Sequence, residues 1–484
     1  MTPPPPLPEE DRRLLKTGAA AMASGFLVRF GARGAHLYLA AALYGVALYG
    51  AFSLATAMVE LAVTLGGLGM KKLLFQSLDD ETIDRTAEAR LVDAAAMVLL
   101  ASLALSALGA VIVAFWPGGM GRSGALLILI LPMIAGQSLL DLSIAATRWK
   151  RLVRYDVIAR SLVEPWAALA GALVAWLAGW RETGLAIGYA VGTLAALAYA
   201  MRGIWLAFDR PALRAARPDF RQISGQVRQN APNIASDLAN ALFIRFDLTL
   251  VGLMLGERAA GIYAMARQFC LPVRQIRQSF DSMLVPMISK VLTQAELPAV
   301  IARIAEMSRI ILTVQVPVLI LLAGFGSHLL DLFPPDFTLA FVPMMILVAG
   351  EIAQASFGAG DLLFVYRDPV RGLVLTLLSI AAGMVLALFL LPRFSLIGAS
   401  LAMAGSYALR ALLRRRQIAR RFGSPAPLRG LLRPFSAALL ALALLIWVPS
   451  TDPWAGALAT LTAIGLYAAL MRWPRPAQGG KAGA

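Results

Sequence analysis

The chain has 484 residues, 59% of them hydrophobic and 15% charged, with a net charge of +16 and a mean hydropathy of +0.72. Soluble domains carry about 25% charged residues, so the composition excludes an ordinary soluble enzyme and points to a polytopic membrane protein. A single cysteine, Cys270, excludes an intrachain disulfide and a cysteine-cluster metal site, and His36 and His328 make no ligand pattern, so neither metal nor cofactor is expected.

The first residues, MTPPPPLPEEDRRLLK, are Pro-rich and acidic at Glu9, Glu10 and Asp11; residues 1–14 read as a disordered tail rather than a secretory signal. Apolar stretches long enough to cross the bilayer then recur along the chain. They predict about fourteen helices, at 15–40, 48–69, 91–115, 123–146, 156–180, 184–206, 231–255, 258–288, 302–326, 338–366, 369–391, 396–414, 431–449 and 455–472.

The connections between these helices alternate in charge. One set holds MKK at 70–72, RWKRLVR at 148–154, the run 202–228, YRDPVR at 366–371 and RRRQIARR at 414–421. The other holds WPGGMGR, WRETG, GER, FPPDF and VPSTDPWA. About 34 Lys and Arg fall in the first set with the tails, against about 4 in the second, which places both termini in the cytoplasm. The positive charge is thus a topology signal, and no nucleic-acid partner is expected. The longest connection, within 207–230, reads as an amphipathic basic segment lying on the inner leaflet, drawn there by anionic headgroups.

Two stretches fit G-x4-G-x-[FY]-x-x-A: Gly45, Gly50, Phe52 and Ala55 match Gly256, Gly261, Tyr263 and Ala266. Each spans the outer connection between the first and second helices of its half, which suggests a parallel six-helix repeat. The expected organisation is an N-lobe at 15–206, the linker 207–230, a C-lobe at 231–414, extra helices at 431–472 and a cytoplasmic tail at 473–484.

Six arginines fall at membrane depth: Arg29, Arg33, Arg245, Arg267, Arg274 and Arg277. Helical geometry puts Arg29, Arg33 and His36 on one face, and Arg267, Arg274, Arg277 and Asp281 on another. Asn230, Asn233, Asp237, Asn240 and Asp247 share a third; Glu351, Gln354, Gly358 and Asp361 a fourth; Gln137 and Asp141 pair on a fifth element. Intramembrane charges face a bundle interior or a hydrated cavity, so these faces predict a central cavity. Arginine forks match phosphate geometry, which makes the six candidates for binding an anionic pyrophosphate.

Each residue also has a plainer reading. Arg29, Arg245 and Arg267 can pair with Asp237, Asp247 or another carboxylate. Arg274 and Arg277 can snorkel to headgroups, and Arg277 can pair with Asp281. Asn233, Asp237, Asn240, Asp247, Glu60, Asp141 and Glu351 are candidates for polar lining or ion coupling, with Glu60 and Glu351 equally able to act as structural hydrogen-bond partners. Pro272 interrupts the eighth helix and is the candidate hinge.

The run NIASDLANALFIRFDLTLVGLMLGERAAGIYAMARQFCLPVRQIRQSFDSMLVPMISK at 233–290 carries a family likeness, through Asp247, LG at 255–256, G-x-Y-x-x-A at 261–266 and Pro286. LYGAFSLATAMVELAVTLGGLGMKKLL at 48–74 and IGASLAMAGSYALRALLRRRQIARRFG at 397–423 agree with it. The chain resembles polysaccharide flippases, the Wzx-type oligosaccharide transporters of the multidrug/oligosaccharidyl-lipid/polysaccharide (MOP) superfamily, over about residues 12–475. It departs at ALYGVALYG, 42–50, where the family often shows an LGP-like turn. The resemblance implies an all-α fold of two six-helix lobes in a V around a central cavity, with two further C-terminal helices. It also implies a non-enzymatic flippase of the bacterial cytoplasmic (inner) membrane; the expected state is a monomer. Such a protein moves undecaprenyl-pyrophosphate-linked oligosaccharide by alternating access, beside the glycosyltransferases and polymerase of its pathway. A lipid II flippase, a multidrug or cation antiporter and a membrane glycosyltransferase or ligase are the alternatives, in that order.

Overall fold

The computed structural model describes residues 9–79, 85–116, 121–278, 297–358, 368–422, 429–447 and 453–472, with most side chains from Gly31 onward. No strand occurs among them, and the fold is all-α. In hydrocarbon a backbone must satisfy its own hydrogen bonds, and a helix does so within one segment. The elements are α1 (Glu9–Gly66), α2 (Met70–Asp79), α3 (Ala87–Ala114), α4 (Gly121–Ile130), α5 (Met133–Trp149), α6 (Arg154–Ile158), α7 (Glu164–Leu177), α8 (Gly184–Ala207), α9 (Arg210–Ala215), α10 (Phe220–Gln229) and α11 (Ala231–Gln268). They continue as α12 (271–278), α13 (Leu297–Leu330), α14 (Phe341–Gly358), α15 (Pro369–Phe422), α16 (Arg429–Trp447) and α17 (Pro453–Arg472). Large apolar side chains such as Leu100, Phe115, Leu177, Leu439 and Leu458 point outward, as expected of a chain solvated by lipid.

Among the described residues nine helices are long and apolar enough to cross a membrane, ten if the bent pair α4 and α5 counts as one span. The expected fourteen is not confirmed by this number, which takes each kinked helix as one. Three helices run through a non-helical residue: α1 at Gly45 (φ 77°, ψ 169°), α11 at Gly256 (φ 86°, ψ 178°) and α15 at Ser395 (φ 50°, ψ −129°). Each break falls where the sequence predicts an outer connection. Gly45 and Gly256 are also the matched glycines of the repeated motif, and they share one backbone conformation that an L side chain resists. Phe52 and Ala55, like Tyr263 and Ala266, are buried behind them.

The chain forms two compact units, Met1–Leu242 and Phe243–Ala484. The division falls inside α11 rather than at its start. In the first unit α7 and α8 meet through small residues. A Cβ on Gly188 would stand 2.6 Å from the Ala168 carbonyl oxygen, and one on Gly192 2.7 Å from that of Glu164, so the backbones touch there as only glycine permits. Between α6 and α7, residues Ala159–Val163 form a π-helical turn in which the Glu164 N–H donates to the Ala159 carbonyl. Pro165 follows at once and has no N–H for the normal ladder, which accounts for the widened turn. In the second unit α13 packs against α14, α16 and α17, and α14 against α15.

The linker rests its apolar residues on protein. Phe208 and Ile223, with Leu213 and Val227, pack into a core of Met70, Leu73, Leu74, Leu78, Leu91 and Val98 on α2 and α3. Polar contacts fix it there. The Asp219 N–H donates to Asp93 Oδ1 at 2.7 Å, and Arg85, which pairs with Asp93, donates to the Arg217 carbonyl at 2.8 Å. The apolar stripe of α9–α10 finds a protein surface, and its basic residues remain outside.

Substituting Gly45→Ala or Gly256→Ala should lower the thermal midpoint of the detergent-solubilised protein, at a cost of about 1–3 kcal/mol each. Gly225→Ala, in the interior of α10 with equally open space around it, should shift the midpoint the other way, by about 0.5–1 kcal/mol.

Candidate functional site

Buried charges of the second unit meet because α11 doubles back at Gly256. Tyr263 Oη donates to Asp247 Oδ2 at 2.9 Å, and Arg267 donates to Asp247 Oδ1 at 2.6 Å and to the Ile244 carbonyl. At 1.5 Å per residue, Asp247 and Arg267 each lie roughly 14–16 Å from the Gly256 turn, about half the hydrocarbon thickness. Two straight helical stretches of that length bring these residues together only if the chain reverses at the glycine.

A second constellation lies beside it. Arg274 on α12 donates through Nε to Glu351 Oε1 at 2.9 Å, with a further contact from the same guanidinium, and to Tyr407 Oη at 3.2 Å. Tyr407 in turn donates to Glu351 Oε1 at 2.7 Å. Phe243 packs at a tilt against Tyr407 with ring centroids 5.4 Å apart, and the Arg410 guanidinium lies 4.4 Å over the Phe243 ring. Both constellations have one design: a buried carboxylate takes one arginine and one tyrosine hydroxyl. Asp247 and Glu351 are each 4% exposed, whereas the paired arginine side chains are 17% and 16% exposed. Pro272 is the second residue of α12, just after the turn at 269–270 that separates Arg267 from Arg274. Cys270 in that turn is buried, its Sγ 3.6 Å from the Ala266 carbonyl oxygen.

The first unit holds a network around the π turn. Arg160 contacts Asp141, donates to Glu164 Oε2 at 3.1 Å and to Gln137 Oε1 at 3.0 Å. Gln137 Nε2 donates to Glu164 Oε1 and Thr193 Oγ1, both at 2.9 Å. Lys71 Nζ reaches the other oxygen of Asp141 at 2.6 Å, and Lys72 Nζ binds both oxygens of Asp237 at 3.0 and 3.1 Å. Two cations and two carboxylates balance within the Arg160 network, and Arg160 itself belongs to the π turn.

The predicted residues therefore fall into distinct places. Arg267 and Arg274 are in ion pairs with Asp247 and Glu351, the carboxylate pairing that stood as the plainer reading for Arg267. Arg274 turns to Glu351. Arg245 and Arg277 are half-buried on α11 and α12, and Arg33 is exposed on α1. Glu60 is exposed on α1, Asn233 donates to Asn230 Oδ1, and Asn240 donates to the Ser236 carbonyl at 2.8 Å. The side chain of Arg29 and residues Asp281 and Asp361 lie outside the described residues. Sequence reasoning passed over Arg160, Glu164, Thr193, Tyr407 and the pairing of Lys71 and Lys72. Arg160 and Glu164 did leave a signal, an i,i+4 ion pair inside an apolar stretch; Tyr407 left none. Among the described residues no group of three or more His, Cys, Asp or Glu side chains converges as a metal site would require.

Residues 41–334 match the family model described as polysaccharide biosynthesis protein. The chain belongs to that family. A curated relative of this family member, the probable low-salt glycan biosynthesis flippase Agl15 of Haloferax volcanii, is 20% identical over 224 residues. The match covers 46% of this chain and 46% of the relative, so the chain spans about half the length of the curated relative it matches. Among solved structures, the lipid II flippase MurJ in an inward closed conformation superposes with a TM-score of 0.75 at 12% identity, covering 94% of this chain and 97% of that one. An inward-facing multidrug resistance MATE family transporter of the MOP superfamily gives 0.64 at 12% identity, covering 82% and 94%. The polysaccharide biosynthesis family member thus has the fold of MOP-superfamily transporters, in a multi-pass membrane chain.

The pairs should differ sharply in what their loss costs. Removing one partner of a buried pair, as in Arg267→Met or Asp247→Asn, should cost about 3–5 kcal/mol, because it leaves a buried charge alone. The double variant should cost less than the two summed. Lys72→Met, in an exposed pair, should cost at most about 1 kcal/mol. Thermal midpoints in detergent measure all four.

Proposed function

We propose that the chain is a flippase translocating undecaprenyl-pyrophosphate-linked oligosaccharide repeat units across the bacterial cytoplasmic membrane by alternating access, for polysaccharide export. The observation that carries this reading is the polysaccharide biosynthesis match over 41–334 on a chain with the MOP-transporter fold. A polysaccharide pathway that starts at a membrane must carry a charged, sugar-bearing headgroup across about 30 Å of hydrocarbon. The interior supports that task, since it supplies charged and hydrogen-bonding side chains about halfway across, held in balanced pairs.

In this reading Arg29, Arg33, Arg245, Arg267, Arg274 and Arg277 line the route of the pyrophosphate, and the lipid tail stays in the bilayer. Asp237, Asp247 and Glu351 are the candidates for ion coupling. Voltage also acts in the needed direction, because each negative charge moved outward gains about 2.3 kcal/mol per 100 mV of inside-negative potential. Two six-helix halves, at 15–206 and 231–414, fit the shared backbone conformation of Gly45 and Gly256. Both termini would face the cytoplasm, beside the glycosyltransferases that build the substrate and the polymerase that consumes it.

A deletion strain should lose polymer export and accumulate lipid-linked oligosaccharide in the inner leaflet. Arg29→Glu should fail to restore export while reaching the membrane at wild-type level, and Arg267→Glu, which also sets a second acid against buried Asp247, should fail with a lowered membrane level. Normal export with both variants would sink the role of these arginines, and arrest of peptidoglycan synthesis in the deletion strain would favour a lipid II substrate instead.

A further inference from the structure

The cation–carboxylate contacts differ in how readily they can be exchanged for a ligand. The carboxylates of Asp247 and Glu351 are buried and would be left without their arginine. Lys71 and Lys72 offer the contrast. They are neighbours in the first turn of α2, with side chains 66% and 60% exposed, and reach two different carboxylates, Asp141 and Asp237. Neither carboxylate is orphaned when its lysine leaves. Asp141 is held independently by Arg160, and Asp237 is 39% exposed, so water can take over its hydrogen bonds.

The placement is fixed by the turn before α2. Leu68 and Gly69 both hold positive φ, 49° and 68°, and Gly69 backs closely onto Ile234 and Asn230 of α11. That corner puts two successive lysines in the first turn of a helix, whose N-terminal dipole adds to their positive potential. An ammonium is a point charge with three donors and can turn to a new acceptor without geometric penalty. A pyrophosphate group carries more charge than a carboxylate and offers several acceptor oxygens, so it competes well for them.

We propose that Lys71 and Lys72 form a docking site for a pyrophosphate group, with Asp141 and Asp237 as the placeholders that the ligand displaces. The inference rests on the flippase reading and deepens it. The lysines lie in the connection that the charge asymmetry assigns to the cytoplasm, where a newly assembled lipid-linked glycan arrives.

Opposite effects of the two partners of one pair are the signature of a placeholder. Binding is measured on the purified full chain in nanodiscs, with undecaprenyl pyrophosphate and inorganic pyrophosphate as probes. Lys72→Gln should weaken binding about tenfold, the loss of one charge-assisted contact, and Lys72→Arg should restore most of it. Asp237→Asn should tighten binding about threefold, because a competing acceptor charge is gone. A larger response with the lipid probe assigns the site to the lipid headgroup, and an equal response with inorganic pyrophosphate assigns it to free pyrophosphate; both uphold the site. If both substitutions weaken binding, or neither changes it, the pair is structural and the proposal is overturned while the flippase reading stands. If wild type binds no undecaprenyl pyrophosphate, that reading fails and this one with it.

Discussion

A charge inside hydrocarbon must bring its own partner, and the interior of this chain is organised around that constraint. Asp247 is the clearest case. Its two oxygens are taken by Tyr263 and Arg267, both beyond Gly256, so the acid is satisfied only after α11 has turned back on itself. The glycine and the ion pair are therefore one structural decision. The same holds for Glu351, which draws α12, α14 and α15 together through Arg274 and Tyr407.

These pairs form a gradient from fixed to exchangeable. The Asp247 and Glu351 constellations are closed, with each acid nearly sealed from solvent. The Arg160 network is intermediate: its guanidinium is shared among Asp141, Glu164 and Gln137, and its exposed edge is Lys71. The Lys72–Asp237 pair is open to water. A polar interior assembled from neutral units can be stable in an apolar slab and still present hydrogen-bonding surface to a charged cargo. The close glycine contact of α7 on α8 and the linker docked on α2 and α3 hold the first unit's helices in register around its network.

Much of this was legible in the sequence, because membrane helices announce themselves by composition and their breaks by residue type. Gly45, Gly256 and Ser395 each interrupt a helix near a predicted connection, and the paired motif singled out the two glycines that share a conformation. The Asp247–Arg267 pair was visible as an alternative, since both residues lay near the midplane. Other contacts had no local signal. Tyr407 meets Glu351 and Arg274 across 56 and 133 positions, and no periodicity reports such a distance. Lys71 and Lys72 were read as loop charge, because hydropathy cannot tell a cation facing water from one that reaches back to an acid. The linker's apolar stripe was evident in the sequence, but the α2–α3 surface that receives it was not.

The turn at residues 269–270 gives the chain an internal reporter. Cys270 is its sole thiol and is buried between the Arg267 and Arg274 contacts. A maleimide reaches that sulfur only when the turn opens, so the native sequence, with no engineered label and no background thiol, times the breathing of its own charged centre.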